Sequence, residues 1–355
     1  MKLYESYKLG DITLKNRIVM APMTRSRAID NIPNDLMKTY YSQRAGAGLI
    51  ISEGTSPSVN GLGYPRIPGA FSPAQVEGWG DIAKGIHDQG GVFFVQLMHT
   101  GRITANENLP AEGTTLAPSA VKADGKMYTD AKGEVDHETP KAMLQEDIDN
   151  AQREYVNCAE NLVRAGVDGV ELHAANGYLM EQFLNPKSNL RTDNYGGNFE
   201  NRARFVIETA KKVVAAVGAH KVGIRFSPYG SMNDVEPYFE DLEELYVYLA
   251  AELKALGIAY IHIVDHREAM GSPDFKTDIK ETIKGTFAGT VITGGDIDSE
   301  KKAKAVLEEG FDLAYVGRSF ISNPDFVEKI KNGEELTDPN PDLFYTPGKE
   351  GYTDY

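Results

Sequence analysis

The chain has 355 residues, of which 41% are hydrophobic and 25% charged, enough for one large buried core or two ordinary ones. Its formal net charge of −15, without a long basic cluster, argues against binding to nucleic acid or to anionic membranes. The single cysteine, Cys158, excludes a disulfide framework, a cysteine-ligated iron–sulfur cluster and a multi-cysteine zinc site.

The first predicted element is a β-hairpin over about residues 7–17. A capping box that begins at Ser72, with proline at the first helical position, predicts a helix ending near residues 90–91. Apolar residues recur at helical spacing over residues 147–166, which predicts a second helix and places Cys158 in the core. Further helices are predicted over residues 203–217, 240–256, 277–286, 299–309 and 324–332.

Between these helices lie short apolar runs that are typical of buried parallel strands. Their alternation with helices predicts the α/β class and a (β/α)8 TIM barrel forming one domain over residues 1–355. A doubly wound open sheet is the alternative, weakened because no G-x-G-x-x-G follows the first strand. The eight predicted strands are Ile18–Ala21, Leu49–Ile51, Val92–Leu97, Val170–Leu172, Val222–Phe226, Tyr260–Val264, Thr290–Thr293 and Leu313–Val316.

One connection is unusually long. Residues about 100–140, after the third strand, contain much Gly, Pro, Thr, Asp and Lys with weak periodicity. Connections longer than about 12–15 residues are often functional lids. We therefore expect a capping insertion over the barrel mouth, with an insertion of no particular role as the alternative.

Polar residues follow the fourth strand, in the stretch DGVELHAANGY over residues 168–178. In a barrel, catalytic groups lie where strands end and the following loops begin. His173 and Asn176 could both donate hydrogen bonds to one substrate oxygen, and Tyr178 could supply a proton. The alternative is a His–Asn pair that only holds the loop, with the tyrosine covering it.

The last two strands end in residues suited to phosphate. Gly294 and Gly295 follow the seventh strand, and Gly317 and Arg318 follow the eighth. Loops at these positions commonly bind phosphate in barrels, and arginine can contact it with two donors.

Histidines near strand ends raise the alternative of a metal-dependent barrel hydrolase. His99, His173, His262 and His266 all lie in or just after strands, but no two share a metal-binding spacing at one strand end, so no metal site is predicted. The remaining histidines, which are His87, His137 and His220, are expected to be solvated.

At this point the sequence resembles the old yellow enzyme family of FMN-dependent ene-reductases, over nearly its whole length. The long central segment is the most specific, because its strand, its His/Asn/Tyr turn, L-N-P, R-T-D-x-Y-G-G and E-N-R-x-R-F occur in the family's order. The matching segments cover residues 16–28, 49–55, 93–102, 169–205, 222–228, 316–325 and 343–355.

The resemblance implies roles for individual residues. Thr24 and Gln96 would bond the polar edge of the flavin, with the Thr24 hydroxyl tuning its potential, and Arg225 would stabilise negative charge near its N1/C2 side. His173 and Asn176 would bind the substrate oxygen, and Tyr178 would be the proton donor. The other flavin contacts implied are Pro22, Met23, Gly54 and Phe344, with Gly294, Gly295, Gly317 and Arg318 on the phosphate and Tyr345 towards substrate.

One position departs from the family pattern, and a second indicates the branch of the family. Met98 stands where the family usually has tryptophan, which implies a wider pocket wall and leaves stereochemistry open. Thr24, with the one cysteine elsewhere, places the chain in the threonine-containing branch.

The resemblance implies NAD(P)H-dependent reduction of activated C=C bonds in α,β-unsaturated carbonyls and nitroalkenes, with nitroesters as a variant, by a ping-pong hydride transfer through bound FMN. NADPH or NADH would be the reductant. A flavin-binding sensor or redox partner without this turnover is the alternative. No run approaches the ~20 apolar residues of a membrane span and the start lacks a secretory signal, so a cytoplasmic monomer or homodimer is expected.

Overall fold

The structure is a computed structural model that describes residues 2–264 and 278–355. Its strands are β1 (Tyr7–Leu9), β2 (Ile12–Leu14), β3 (Ile18–Met20), β4 (Leu49–Ile51), β5 (Phe93–Leu97), β6 (Leu116–Ala117), β7 (Lys126–Thr129), β8 (Gly133–Asp136), β9 (Lys141–Ala142), β10 (Gly169–Ala174), β11 (Val222–Phe226), β12 (Tyr260–Ile263), β13 (Thr290–Gly295) and β14 (Leu313–Val316). Its helices are α1 (Asp35–Gln43), α2 (Pro73–His87), α3 (Gln145–Arg164), α4 (Leu179–Leu184), α5 (Phe199–Val217), α6 (Leu242–Leu256), α7 (Ile279–Phe287), α8 (Glu300–Glu308), α9 (Ser319–Ser322) and α10 (Phe326–Asn332).

The centre of the molecule is a closed barrel of eight parallel strands, in the order β3, β4, β5, β10, β11, β12, β13, β14 and back to β3. This confirms the predicted (β/α)8 barrel, and each of the eight predicted apolar runs forms one of its strands. The predicted N-terminal hairpin is also present, because β1 pairs with β2 in antiparallel register. Three helices, α1, α4 and α9, were not among the predicted elements.

The hairpin closes the end of the barrel where the strands begin. Leu9 and Leu14 pack in one apolar cluster with residues near the strand starts, including Leu49, Phe94 and Leu313. This floor leaves the opposite end, where the strands finish, as the open mouth.

Side chains along β10 alternate between the two sides of the barrel wall. Val170 and Leu172 belong to the apolar cluster shared with the outer helices. Glu171 and His173 occupy the alternate positions and face the interior, where Glu171 reaches β12 by a hydrogen bond to His262. The alternation therefore brings polar groups from successive strands together inside the mouth.

The insertion after β5 contains strands β6 to β9, of which β7 and β8 form an antiparallel hairpin. The expectation that His137 is solvated is wrong: it is buried just after this hairpin, with its Nδ1 atom 3.2 Å from the carbonyl oxygen of Thr104. The insertion folds back on residues near 104, and this long-range packing has no signature in the local sequence.

Cys158 lies in the core as predicted. It is buried in α3, and its thiol donates to the carbonyl oxygens of Pro57 and Ala70 at 3.3 and 3.0 Å. His266 lies outside the described residues. None of the helices in the described ranges is long and apolar enough to cross a membrane.

Candidate active site

A cavity of about 950 Å³ opens at the carboxyl ends of the strands. Thr24 lies at its wall after β3, and Tyr178 lies there after β10. The β7–β8 hairpin contributes residues such as Tyr128 and Glu134, and the C-terminal segment contributes Tyr345. The barrel, the insertion and the C-terminal segment thus enclose one volume of the size that small-molecule sites usually have.

The turn after β10 is held in a left-handed backbone conformation. Asn176 has φ 58° and Gly177 has φ 77°, and a Cβ atom at Gly177 would lie only 2.7 Å from the Cβ of Asn233. Asparagine and glycine are the residues that adopt this conformation at least cost. The sequence A-N-G-Y therefore permits a tight turn that a bulkier residue at 177 would prevent.

A buried carboxylate anchors this turn. Glu181 accepts a hydrogen bond from the backbone N–H of Gly177 at 2.5 Å and another from the Ser227 hydroxyl at 2.7 Å. The Ser227 oxygen in turn accepts from the backbone N–H of Asn176 at 2.7 Å. The anchors come from α4 and from the residue just after β11, so neighbouring barrel units fix the turn.

The hydroxyl of Tyr178 faces the cavity beside a second tyrosine. The hydroxyl oxygens of Tyr178 and Tyr64 are 3.0 Å apart, and the ring of Tyr178 lies 5.2 Å from that of His173. Burial raises the pKa of Tyr178 above its ordinary value, although hydrogen bonds with Tyr64 and Asn233 oppose the shift. The hydroxyl therefore keeps its proton at neutral pH and can act as a donor.

Below the turn, polar groups of four strands meet inside the barrel. The Glu171 carboxylate accepts from Nε2 of Gln96 at 2.8 Å and from Nδ1 of His262 at 2.9 Å. Arg225 lies on β11, between β10 and β12. It pairs in register with His173 on β10 and with His262 on β12. This group of five residues is almost fully buried, and its most accessible member, Arg225, is only 7% exposed. The five are Gln96, Glu171, His173, Arg225 and His262.

The two histidines of this group are neutral. Burial, followed by the charges of Arg225 and His262, lowers the pKa of His173 well below its usual value. Burial and then Arg225 lower the pKa of His262 to about 4, although Glu171 opposes the shift. Burial alone would raise the pKa of Glu171, but its contacts with His262, Arg225 and Gln96 outweigh burial and lower it. The interior thus holds one carboxylate and one guanidinium.

Several polar atoms at the mouth are buried yet have no hydrogen-bond partner within residues 2–264 and 278–355. Such atoms are rare in folded proteins and indicate a missing ligand or water. They are Nδ1 of His173, Oδ1 of Asn176, Nε of Arg225, Nε2 of His262 and Oγ1 of Thr293. A flavin, with a polar edge and a phosphate, fits this set of unpaired groups together with the nearby guanidinium.

The predicted phosphate residues lie at the ends of β13 and β14. Gly294 has φ 155°, and a Cβ atom there would lie 2.4 Å from the carbonyl oxygen of Tyr315, so no side chain fits. Gly295 has φ 152° and is half-buried, as is Gly317, where a Cβ atom would meet nothing within 4 Å. Arg318 is exposed. Glycine thus keeps the backbone accessible on this side of the mouth.

Of the remaining predicted residues, Thr24 and Tyr345 line the cavity. Met98 is buried in an apolar cluster with Tyr178, and a Cβ atom at Gly54 would lie 2.5 Å from its Sδ atom. Tyr345 is 59% exposed and Phe344 is half-buried. The three residues that follow β3 and Ala21, which are Pro22, Met23 and Thr24, are half-buried.

Sequence reasoning missed two residues of the site. Tyr64 lies in a glycine-rich loop without periodicity, and only the fold brings it to Tyr178. Glu171 did carry a signal, because a charged residue inside the apolar run G-V-E-L is almost never fully buried unless it is paired. In the described part of the chain, no three His, Cys, Asp or Glu side chains are placed to hold a metal ion.

The chain matches known proteins over nearly its whole length. A family model described as the NADH:flavin oxidoreductase / NADH oxidase family matches residues 2–337. Chanoclavine-I aldehyde reductase of Penicillium roqueforti is 39% identical over 372 residues, covering 100% of this chain and 96% of that protein. For 12-oxophytodienoate reductase 1 of Oryza sativa subsp. japonica, identity is 37% over 358 residues, covering 99% of this chain and 92% of the relative.

Solved structures agree with this assignment. Morphinone reductase has a TM-score of 0.94 at 38% identity, covering 99% of this chain and 95% of that one. The old yellow enzyme homologue of Zymomonas mobilis has a TM-score of 0.94 at 35% identity, covering 100% of this chain and 99% of that one. The chain therefore belongs to the NADH:flavin oxidoreductase / NADH oxidase family, the FMN-dependent old yellow enzyme family.

Proposed function

We propose that this FMN-dependent oxidoreductase reduces activated C=C bonds, with NADH or NADPH as the reductant. The observation that supports it best is the convergence of three groups at one cavity mouth. His173 and Asn176 come from the same turn as the protonated hydroxyl of Tyr178, and the ring of His173 lies 5.2 Å from that of Tyr178. Nδ1 of His173 is buried without a partner among the described residues, above a barrel interior that contains Arg225. This arrangement suits a substrate whose oxygen accepts hydrogen bonds and whose carbon is protonated next to the reduced flavin.

His173 and Asn176 would bind the carbonyl or nitro oxygen of the substrate. Because His173 is neutral, it offers one N–H donor without presenting a full positive charge. The unpaired atom of Asn176 is Oδ1, an acceptor, so its Nδ2 group would have to turn towards the ligand to provide the second donor. The backbone N–H of Asn176 donates to the Ser227 hydroxyl at 2.7 Å. Two donors directed at one oxygen would stabilise the negative charge that develops there as the alkene accepts hydride.

Tyr178 would protonate the α-carbon of the substrate. Its hydroxyl keeps its proton at neutral pH, and Tyr64, at 3.0 Å, fixes its direction. A donor held in place lowers the barrier by orientation as well as by proton transfer. The names of the relatives, an aldehyde reductase and a 12-oxophytodienoate reductase, support a substrate with a carbonyl group.

The FMN contacts proposed here are those that the family resemblance implies. When bound, FMN would supply the hydride-transfer chemistry between the nicotinamide and the β-carbon of the alkene. Gln96 and Arg225 would face its polar edge from inside the barrel. The other proposed contacts are Pro22, Met23, Thr24, Gly54 and Phe344 around the ring system, and Gly294, Gly295, Gly317 and Arg318 at the phosphate.

The test is anaerobic turnover of the FMN-loaded protein with 2-cyclohexenone, run separately with NADH and NADPH. We expect enone-dependent oxidation of at least one nicotinamide and formation of cyclohexanone. If a nicotinamide reduces the flavin but the enone does not reoxidise it, the proposal fails. That outcome would favour a flavin-binding sensor or redox partner without ene-reductase turnover.

A further inference from the structure

The carboxylate of Glu171 has no role in the proposed reaction, yet it is the only anion in the interior group described above. It is fully buried, and each of its oxygens accepts one hydrogen bond, from Gln96 at 2.8 Å and from His262 at 2.9 Å. An ionised carboxylate inside a protein costs several kcal/mol unless it is paired. The barrel nevertheless keeps this costly buried charge directly below its mouth.

The hydrogen bonds of Glu171 fix the orientation of two side chains. Because Nε2 of Gln96 donates to the carboxylate, its Oε1 atom is turned away from Glu171. Because Nδ1 of His262 also donates to it, the neutral ring has no proton on Nε2. Reversing the Gln96 amide would place its Oε1 acceptor against the carboxylate. Moving the His262 proton to Nε2 would likewise leave an acceptor at Nδ1.

Glu171 also lies within electrostatic reach of Arg225. That guanidinium is 7% exposed, lies 5.5 Å above the ring of Tyr315 and has an unpaired Nε atom. A cation near the N1/C2 side of a flavin stabilises its reduced, negatively charged form. An anion close to that cation opposes the stabilisation, and the low dielectric of the interior strengthens both effects.

We propose that Glu171 is a positioning residue of the flavin site, which orients the Gln96 amide, offsets the charge of Arg225 and thereby sets the reduction potential of bound FMN. The proposal rests on the assignment of Gln96 and Arg225 as flavin contacts in the proposed function. It does not require that the protein reduce alkenes.

The test is the reduction potential of FMN in Glu171→Gln, measured by equilibration with a reference dye at pH 6. Removing the anion should favour reduced flavin on the order of tenfold, a positive shift of about 30 mV for a two-electron couple. An unchanged potential in a variant that binds FMN would overturn the proposal.

Glu53→Gln is the matched control for the loss of a buried carboxylate. Glu53 is also fully buried, at the end of β4, and accepts from the backbone N–H of Arg25 and the Tyr41 hydroxyl, both at 3.2 Å. Burial raises its pKa to about 7 despite these bonds, so at pH 6 it is mostly uncharged. We expect lower thermal stability with an unchanged potential. An equal potential shift in both variants would overturn the specific role of Glu171.

A second measurement covers the case in which Glu171→Gln does not retain FMN. The parent protein, labelled with ¹³C-glutamate, should show a labelled carboxylate band in the infrared difference spectrum between oxidised and reduced forms. That band should lose its labelled component in Glu171→Asp. Its persistence in Glu171→Asp, or its absence from the parent, would contradict coupling between Glu171 and the flavin. If the reduction potential and the infrared band behave as expected but the protein does not turn over the enone, only the proposed function is disproved.

Discussion

Arg25 and Arg225 are both buried and both lie at the carboxyl ends of barrel strands, but their donors are used in opposite ways. The Arg25 guanidinium donates to the carbonyl oxygens of Phe344 and Gly351 and to the Tyr40 hydroxyl, at 2.8 to 3.1 Å. Arg225 keeps its Nε atom without a partner in the described part of the chain.

Two neighbours of Arg25 follow the same pattern. Arg27 donates to the backbone carbonyls of Leu343, Phe344, Gly348 and Glu350. Arg44 donates to the carbonyl oxygens of Phe320, Ile321 and Tyr352. We call these three arginines the C-terminal clamp, because Arg25, Arg27 and Arg44 hold the segment that carries Phe344 and Tyr345. In the clamp each guanidinium nitrogen has an acceptor and the charge serves structure, whereas Arg225 keeps an unpaired Nε at the site proposed for FMN.

The largest effect we expect is on the chemistry at the mouth. Tyr178→Phe removes the proposed proton donor and should slow reoxidation of reduced flavin by 2-cyclohexenone by about 10²- to 10⁴-fold, the usual contribution of a general acid. Flavin reduction by the nicotinamide should change only a few-fold, because it needs no proton from this residue. Stopped-flow measurement of the two half-reactions separates them.

Tyr64→Phe is the control for this variant. It removes the partner hydroxyl 3.0 Å away but leaves the donor in place, so its effect on reoxidation should be much smaller than that of Tyr178→Phe. Equal slowing of both half-reactions in Tyr178→Phe would contradict the assigned role.

The next largest effect tests the clamp. Arg27→Met should lower the free energy of unfolding by about 3 kcal/mol or more, since hydrogen bonds to charged groups contribute about 1.5–3 kcal/mol and several partly buried bonds of Arg27 are lost. Urea denaturation of the FMN-loaded protein measures this loss. The reduction potential of the flavin should stay unchanged.

Arg318→Met should give the opposite pattern when urea denaturation is carried out both with and without FMN. Arg318 is exposed, so its replacement should leave the stability of the protein without FMN within about 0.5 kcal/mol of the parent. It should instead weaken FMN binding through the phosphate. If a variant of the C-terminal clamp changed the flavin potential without losing stability, the distinction between structural arginines and flavin-binding arginines would be wrong.

The sequence predicted the barrel well because each strand is a short apolar run set between helices with clear start and stop signals. The capping box at Ser72, for example, is present with both of its hydrogen bonds. The turn from His173 to Tyr178 was also predictable, since these polar residues directly follow an apolar strand.

What the sequence could not show depends on distant partners. Glu171 and His262 are 91 positions apart, and Tyr64 and Tyr178 are 114 apart. Arg27 reaches carbonyl groups more than 300 positions away. His137 was wrongly expected to be solvated because nothing in its neighbourhood predicts that the insertion folds over residue 104. The local sequence identifies the residues that could bind or react, and the closed barrel decides which of them meet.

A smaller effect is expected for the unpaired atoms themselves. Replacing both His173 and Asn176 with alanine should weaken phenol binding to the oxidised protein by roughly five- to hundred-fold, the loss expected for two hydrogen bonds of about 0.5–1.5 kcal/mol each. Titration of the long-wavelength absorbance that phenols induce in bound flavin measures this. Alanine at position 176 also costs about 1–2 kcal/mol of stability, because φ is 58° there.

His173→Ala with Asn176→Gly removes that backbone strain and serves as the matched variant. It should bind phenol as weakly as the double alanine variant but fold more stably than that variant, because glycine adopts a φ of 58° without strain. Phenol affinity equal to that of the parent would show that the two side chains do not hold the ligand oxygen.

The smallest effect concerns Met98, which affects the shape of the mouth without supplying a polar group. It is 2% exposed, and a Cβ atom at Gly54 would lie 2.5 Å from its Sδ atom, so there is no free space behind it on that side. The larger ring system in Met98→Trp must therefore move towards the cavity and Tyr178. Bulky enones should then bind in a different orientation, and the ratio of product enantiomers should change by a few-fold while flavin potential and stability change little. Chiral chromatography of the products measures the ratio, and Met98→Leu, of similar volume, should leave it unchanged. Identical ratios for Met98→Trp and the parent across several bulky enones would show that this wall does not orient the substrate, and would confine stereochemical control to the polar groups of the mouth.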